Sequence, residues 1–215
     1  MKLFVWDYHG ILEKGNEAAA FYVSNLVLEK FGYKERLSQK DAINLYGRKW
    51  YEYFEHVLPA ESHKRHLELQ KAGFDFTASN PEIVASFVKP NPHAKEVLRK
   101  IAEKHAQIII SNTDPRSLDI YLKMVDIQKY FPNGASFAAQ AHTRDSKRNK
   151  ISILKDYLAG KTFEDIIIIG DSPSDMELKE IAGGKTYLYC HPGMKHRDCE
   201  ADQKIHDLRD LLAEI

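Results

Sequence analysis

The sequence is poor in cysteine, has no net charge and contains no long hydrophobic run. Its 215 residues include two cysteines, Cys190 and Cys199, too few for a disulfide framework, so we expect a reducing cytoplasmic location. The 31 basic and 31 acidic side chains balance, which gives no support to a nucleic-acid partner or to an anionic membrane surface. No apolar run approaches the roughly 20 residues that cross a bilayer, and the apolar stretch at residues 3–6 is too short for a signal peptide. We expect a monomer or a homodimer.

Alternating strand and helix patterns are typical of a parallel sheet. Short apolar runs at residues 3–6, 107–110, 135–139, 166–169 and 186–189 predict buried strands. The run 166–169 is four isoleucines, which have no polar face and therefore belong in a sheet covered on both sides. Helical patterns opening at Asn91-Pro92, at Asp114-Pro115, near Lys150 and after Pro173 separate the later strands. The expected fold is α/β, a Rossmann-like parallel sheet flanked by helices.

One long segment departs from this alternation. Residues 15–87 show helical patterns only, including an apolar face at Trp50, Tyr51 and Phe54, and a capping box formed by Ser38 and Asp41. The sequence therefore predicts a core made of residues 1–14 and 88–215, with an all-helical lobe at residues 15–87.

Polar side chains follow the predicted strands where a parallel sheet binds its ligands. The residues at these positions, with one lysine that opens a helix, are Asp7, Ser111, Asn112, Lys150, Asp171 and Asp175. Two carboxylates about 4 Å apart repel by about 4 kcal/mol at an effective dielectric near 20. Magnesium would relieve this repulsion, since it binds one or two carboxylates together with substrate phosphate oxygens. The pattern favours phosphoryl transfer, with a carboxylate available as a nucleophile.

These residues resemble the motifs of the haloacid dehalogenase superfamily, most of whose members are phosphatases. The first motif, D-x-D-G-T-L, reads here Asp7-Tyr8-His9-Gly10-Ile11-Leu12. The second is a Ser or Thr that ends an apolar strand, here Ser111, and the third is a lysine that opens a helix, here Lys150 or, less well, Lys147. The fourth is an apolar strand followed by G-D-x-x-x-D, which residues 166–175 match in full. The helical lobe resembles the cap that many members carry between the first and second motifs.

The resemblance implies a role for each matching residue in a magnesium-dependent phosphatase acting on a small phosphorylated molecule. Asp7 would be the nucleophile and would form an aspartyl-phosphate intermediate. Asp7, Asp171 and the main-chain carbonyl of His9 would hold magnesium. Asp175 would support the metal either as a direct ligand or through contact with a group that binds it.

The same resemblance implies contacts with the substrate. Ser111 and Lys150 would bind the transferring phosphoryl group, and Asn112 would add a hydrogen bond. Related proteins place residues that select the substrate in the lobe, where Arg48 is a candidate for binding an anionic group.

His9 departs from the family pattern, because it replaces the Asp that protonates the leaving oxygen and later activates water. Histidine titrates near neutral pH, so His9 is a candidate acid/base. Two other interpretations stay open: a catalytically weak binding or regulatory protein that keeps the fold, or different chemistry such as metal-independent dehalogenation. The G-D-x-x-x-D motif with Asp171 and Asp175 resembles the metal-binding motif of the family, which favours a phosphorylated substrate over a halogenated one.

Overall fold

A six-stranded parallel sheet forms the centre of the computed structural model, which describes residues 1–132, 134–139, 148–194 and 199–215. Its order is β5-β4-β1-β6-β7-β8, where the strands are β1 (Leu3–Trp6), β4 (Ala106–Ser111), β5 (Ser136–Ala138), β6 (Ile166–Gly170), β7 (Lys185–Tyr189) and β8 (Gln203–Ile205). Every neighbouring pair is parallel, so the predicted Rossmann-like α/β class is confirmed. All five predicted strands are present.

The sequence pattern missed β8. This edge strand is three residues long, and Gln203 and Lys204 are exposed, so it carries no apolar run. It is recognisable only from its pairing with β7, in which Leu188 faces Lys204.

The central strands are buried, apart from the partly exposed first residues of β4 and β6. Ile167, Ile168 and Ile169 of β6 have no exposed surface, as the run of isoleucines predicts. Burying such a side chain contributes about 1.5–3 kcal/mol. Trp6 pairs with Ile109 on one side and with Ile169 on the other, so β1, β4 and β6 end at the same edge of the sheet.

Among the described residues, five α-helices flank the sheet: α6 (Ala94–Ala102), α7 (Pro115–Met124), α8 (Lys150–Leu158), α9 (Pro173–Met176) and α10 (Lys179–Ala182). The helix predicted to open at Asn91-Pro92 begins instead at Ala94. The Asn91 side chain instead donates to the Ile11 carbonyl at 2.8 Å, and this bond ties the start of the returning chain to the first motif. The helix predicted after Pro173 is interrupted near Glu177, which gives α9 and α10.

Five more helices lie between the first and second sheet strands in the sequence: α1 (Asn16–Lys30), α2 (Gln39–Asn44), α3 (Trp50–Val57), α4 (His63–Ser79) and α5 (Pro81–Phe87). A capping box formed by Ser38 and Asp41 opens α2, as expected. These helices have apolar clusters of their own, one of which joins Val23 of α1, Phe54 of α3 and Leu69 of α4.

A two-stranded antiparallel ribbon joins the helical segment to the sheet. It consists of β2 (Glu13–Lys14) and β3 (Lys89–Pro90), with Lys14 paired to Lys89. The division into a core and an inserted lobe at residues 15–87 stays a prediction. Within the described part of the chain, no helix combines the length and the apolar composition needed to cross a membrane.

Candidate active site

Three buried carboxylates meet at the carboxyl-terminal edge of the sheet. Asp7 directly follows β1, Asp171 directly follows β6, and Asp175 lies one turn further along in α9. An oxygen of each lies within 4.8 Å of an oxygen of the others, and the three residues are 8%, 7% and 1% exposed. The structure therefore brings the three acidic residues predicted from the sequence into one cluster.

Lys150 pairs with two of these carboxylates. It is the first residue of α8, where the Asn149 side chain caps the helix by accepting from the Ser152 N–H. Its Nζ lies 2.9 Å from Asp7 Oδ1 and donates to Asp175 Oδ1. Burial alone would lower the pKa of Lys150, but the charges of Asp175 and Asp7 outweigh burial and raise it. Lys150 is therefore a buried ammonium group that fixes two carboxylates.

Asp171 has no basic partner of this kind in the described part of the chain. Burial, together with the charges of Asp7 and Asp175, raises the pKa of Asp171 well above its ordinary value, although Tyr46 and Lys150 oppose this shift. No basic side chain among the described residues lies within ion-pair distance of it. The cluster therefore combines three carboxylates with one ammonium group, and its oxygen-only donor set is the kind that Mg²⁺ prefers.

Ser111 adds an unused hydrogen-bonding group to the same edge. It ends β4, has no exposed surface, and its Oγ has no hydrogen-bond partner among the described residues. Buried hydroxyls are nearly always paired, so an unpaired one at a ligand-binding edge indicates a site for an external oxygen.

Two glycines allow the close packing of the acidic cluster. Gly10 has a φ of +76°, and a Cβ there would overlap the Tyr46 hydroxyl and Asp171 Oδ2. A Cβ on Gly170 would overlap the side chain of Asp175. Larger residues at either position would push these groups apart.

His9 is held by a buried glutamate. Its Nδ1 lies 3.0 Å from Oε1 of Glu13, a residue with no exposed surface, and its ring meets the Tyr8 and Tyr121 rings edge-on. Glu13 also accepts the Gly10 N–H at 3.2 Å and the Asn16 N–H at 3.3 Å. A carboxylate only accepts, so Nδ1 carries the proton in this pair, and Nε2 is the ring atom available for proton exchange.

A cavity opens on this edge between the sheet and the helical segment. Its lining includes most of the residues that sequence analysis singled out: Asp7, His9, Arg48, Ser111, Asn112 and Asp171. Lys150 and Asp175 do not line it, but Lys150 contacts Asp7 and Asp175 accepts from Ser172, and both of these partners line the cavity. Lys147, the alternative lysine, lies outside the described residues.

Tyr46 and Glu13 also belong to the site, but neither lies in one of the sequence motifs that predicted it. The Tyr46 hydroxyl lies against Asp171, and burial raises its pKa well above its ordinary value, with the Asp171 charge adding to the shift. Glu13 lies only four residues after His9, and that short spacing was the one sequence signal available for it.

Comparison with known proteins shows the family of this chain. The family model described as "Haloacid dehalogenase-like hydrolase" matches residues 5–188. The chain belongs to the haloacid dehalogenase-like hydrolases. No curated protein sequence gives a significant match.

Several solved structures share the fold over nearly the whole chain. A haloacid dehalogenase-like hydrolase from Streptococcus pneumoniae is 15% identical, with 99% of this chain and 97% of that chain covered and a TM-score of 0.75. A predicted phosphoglycolate phosphatase from Haemophilus somnus is 16% identical, with 99% and 96% covered and a TM-score of 0.76. A family hydrolase from Deinococcus radiodurans, solved with bound phosphate and sodium, is 19% identical, with 99% and 94% covered and a TM-score of 0.64.

Proposed function

We propose that this hydrolase is a magnesium-dependent phosphomonoesterase that acts on a small phosphorylated metabolite through an aspartyl-phosphate intermediate on Asp7. The observation that carries the proposal is the buried cluster of Asp7, Asp171 and Asp175, which Lys150 neutralises only in part. A phosphate monoester that enters such a cavity needs added positive charge, and Mg²⁺ supplies it in phosphoryl transfer.

Asp7 and Asp171 would hold the ion, with the His9 carbonyl as a further ligand and Asp175 in support. When bound, Mg²⁺ would offset the charge of the carboxylates and of the phosphoryl oxygens. Lys150 keeps Asp7 in place through their ion pair. Ser111 Oγ, which has no partner of its own among the described residues, would donate to a phosphoryl oxygen.

In the first half of the reaction, an oxygen of Asp7 attacks phosphorus and the bond from phosphorus to the leaving oxygen breaks. His9 gives the proton on Nε2 to that oxygen, and the alcohol departs. In the second half, His9 Nε2 takes a proton from water while the water oxygen attacks the phosphorus of the aspartyl phosphate. The bond from phosphorus to the Asp7 oxygen breaks, inorganic phosphate leaves, and the Asp7 carboxylate and protonated His9 are restored.

Glu13 is the positioning residue for this exchange. Because it accepts from Nδ1, the imidazole presents Nε2 for proton transfer, the arrangement used by carboxylate–histidine pairs in other hydrolases. Arg48 lines the cavity from the turn between α2 and α3 and is exposed. It would bind a second anionic group of the substrate.

The proposal is tested by phosphate release from p-nitrophenyl phosphate and from a panel of phosphorylated metabolites, with Mg²⁺ and with excess chelator. We expect activity that requires Mg²⁺ and falls by at least about a thousandfold in Asp7→Asn, which lacks the nucleophile. Asp156→Asn, an exposed substitution on α8, is the matched control and should keep full activity.

Each of the other possible results would support a different function. Hydrolysis by Asp7→Asn at a near wild-type rate would remove Asp7 as the nucleophile. Absence of turnover on every phosphate ester would favour the weak binding or regulatory protein, and halide release with chelator present would favour dehalogenation.

A further inference from the structure

A second group of potential metal ligands lies in the helical segment. Glu55 of α3, His63 at the first position of α4 and His66 one turn later offer ligand atoms that all lie within 4.8 Å of one another. None of the three lines the cavity at the sheet edge. This cluster, called here the α3–α4 cluster, is therefore separate from the candidate active site.

His66 provides the decisive observation. It is 4% exposed, and its Nε2 lies 2.9 Å from the Leu58 carbonyl oxygen. Because a carbonyl can only accept, Nε2 carries the proton and Nδ1 carries a lone pair. Nδ1 has no hydrogen-bond partner among the described residues, and it lies 3.9 Å from Glu55 Oε1. Burying an unpaired acceptor of this kind lowers the stability of the fold unless a ligand binds to it.

The bond from His66 to Leu58 also matches a known feature of metal sites. Histidines that bind metals usually donate their other ring N–H to a backbone carbonyl or a carboxylate, which fixes the tautomer and the ring orientation. The Leu58 carbonyl does this for His66 in the turn between α3 and α4.

The other two side chains are held beside the same point. His63 Nδ1 lies 2.7 Å from Glu55 Oε1, and the His63 ring packs edge-on against Tyr51 at a centroid distance of 5.0 Å. The nearby cation Arg65 is engaged elsewhere, with Glu68 and the Tyr33 hydroxyl. Among the described residues, the ion pairs of Glu55 are with the two histidines alone.

Two imidazoles and one carboxylate suit a borderline transition metal rather than magnesium. Zn²⁺ lies about 2 Å from nitrogen and oxygen ligands, which places the ligand atoms about 3–4 Å apart, so small side-chain rotations would close the cluster on an ion. Two histidines and one glutamate also leave a fourth position for water.

We propose that Glu55, His63 and His66 form a binding site for a divalent transition metal ion of the zinc type. The ion would replace the proton shared by His63 and Glu55 and would join the end of α3 to the start of α4. Since Trp50 and Tyr53 of α3 line the cavity, an ion at the α3–α4 cluster would also hold that wall of the cavity.

The test is a Zn²⁺ titration of the full chain against a chromophoric chelator, with Mg²⁺ at saturation so that the carboxylates of the sheet edge are occupied. We expect one site in the wild type and at least about tenfold weaker binding in Glu55→Gln and in His63→Gln. His56→Gln is the matched control, because His56 also lies on α3 and pairs with a carboxylate, Asp41, at 3.0 Å, but lies outside the cluster. It should bind Zn²⁺ as the wild type does.

Two further measurements separate ligation from folding. Zn²⁺ should raise the melting temperature of the wild type and of His56→Gln, but not that of His63→Gln. In the wild type, Zn²⁺ should shift the nitrogen resonance of His66 Nδ1. Equal Zn²⁺ affinity in the wild type, Glu55→Gln and His63→Gln, or an unchanged His66 Nδ1 resonance at saturating Zn²⁺, would overturn the proposal.

Discussion

The buried carboxylates at the two edges of the parallel sheet have pKa values shifted in opposite directions. At the amino-terminal edge, Glu214 accepts from the Tyr187 hydroxyl at 2.6 Å, from Lys2 Nζ at 2.9 Å and from Lys185 Nζ at 2.9 Å. Burial alone would raise the pKa of Glu214, but these three partners outweigh it and lower the pKa to about 2. At the carboxyl-terminal edge, burial and two neighbouring carboxylates raise the pKa of Asp171.

The contrast separates a structural carboxylate from one that needs a ligand. Glu214 has two ammonium groups for one carboxylate, so the fold itself supplies its counter-charge. The cluster of Asp7, Asp171 and Asp175 has one ammonium group for three carboxylates among the described residues. A buried charge without a partner costs several kcal/mol, and folds keep such charges chiefly where function uses them.

Removing the Lys150 ammonium group from the carboxyl-terminal edge has the largest expected effect. We expect Lys150→Met to lower the free energy of unfolding by about 3–5 kcal/mol without Mg²⁺, because it leaves Asp7 and Asp175 buried without a cation. Lys155→Met, an exposed change on the same helix, should cost less than about 0.5 kcal/mol. Urea unfolding of both variants measures the difference, and equal stabilities would show that the pairs of Lys150 contribute nothing.

The amino-terminal edge gives a smaller effect with a defined pH dependence. The pKa of Glu214 in the folded state lies below that of an unfolded Glu, so its stabilising contribution is present above about pH 4.5 and is lost as pH falls through about 2. Glu214→Gln should therefore cost about 1–3 kcal/mol at neutral pH and progressively less below pH 4.5. Asp210→Asn, exposed in the same 3₁₀ helix (Leu208–Glu214), is the control. A cost for Glu214→Gln that stays constant between pH 7 and pH 2 would contradict this assignment.

The smallest effect concerns Glu13, a buried carboxylate whose partners are His9 and backbone N–H groups. We expect Glu13→Gln to lower kcat about tenfold on alkyl phosphates, whose leaving oxygen needs a proton, and at most about twofold on aryl phosphates. The exposed change Glu177→Gln should alter neither rate. A purely structural role for Glu13 predicts equal losses on both substrate classes, which the ratio of the two rates would reveal.

The sequence was sufficient to predict which residues meet at the carboxyl-terminal edge. In a parallel sheet, the residues that follow neighbouring central strands lie side by side, so the sequence alone predicts that Asp7, Asp171 and Ser111 (the last residue of β4) lie together. The starts of α7 and α8 were also predictable, because Asp114 and Asn149 cap them locally.

Contacts that do not involve the ends of sheet strands could not be predicted in the same way. Tyr46 reaches Asp171 from the helical segment, across more than half the chain, and no local pattern specifies that contact. Glu13 becomes a partner of His9 only because the chain turns tightly after Gly10. The spacing of His63 and His66 indicates one helix face, but Glu55 joins them only once α3 packs on α4.

The most direct test of the account is calorimetric Mg²⁺ binding to the wild-type protein and to Asp171→Asn. If the carboxyl-terminal edge is a metal site in deficit of positive charge, the wild type binds one Mg²⁺ ion, and Asp171→Asn binds it at least about tenfold more weakly. Asp156→Asn should match the wild type. Equal Mg²⁺ affinity in the wild type and Asp171→Asn would contradict the account.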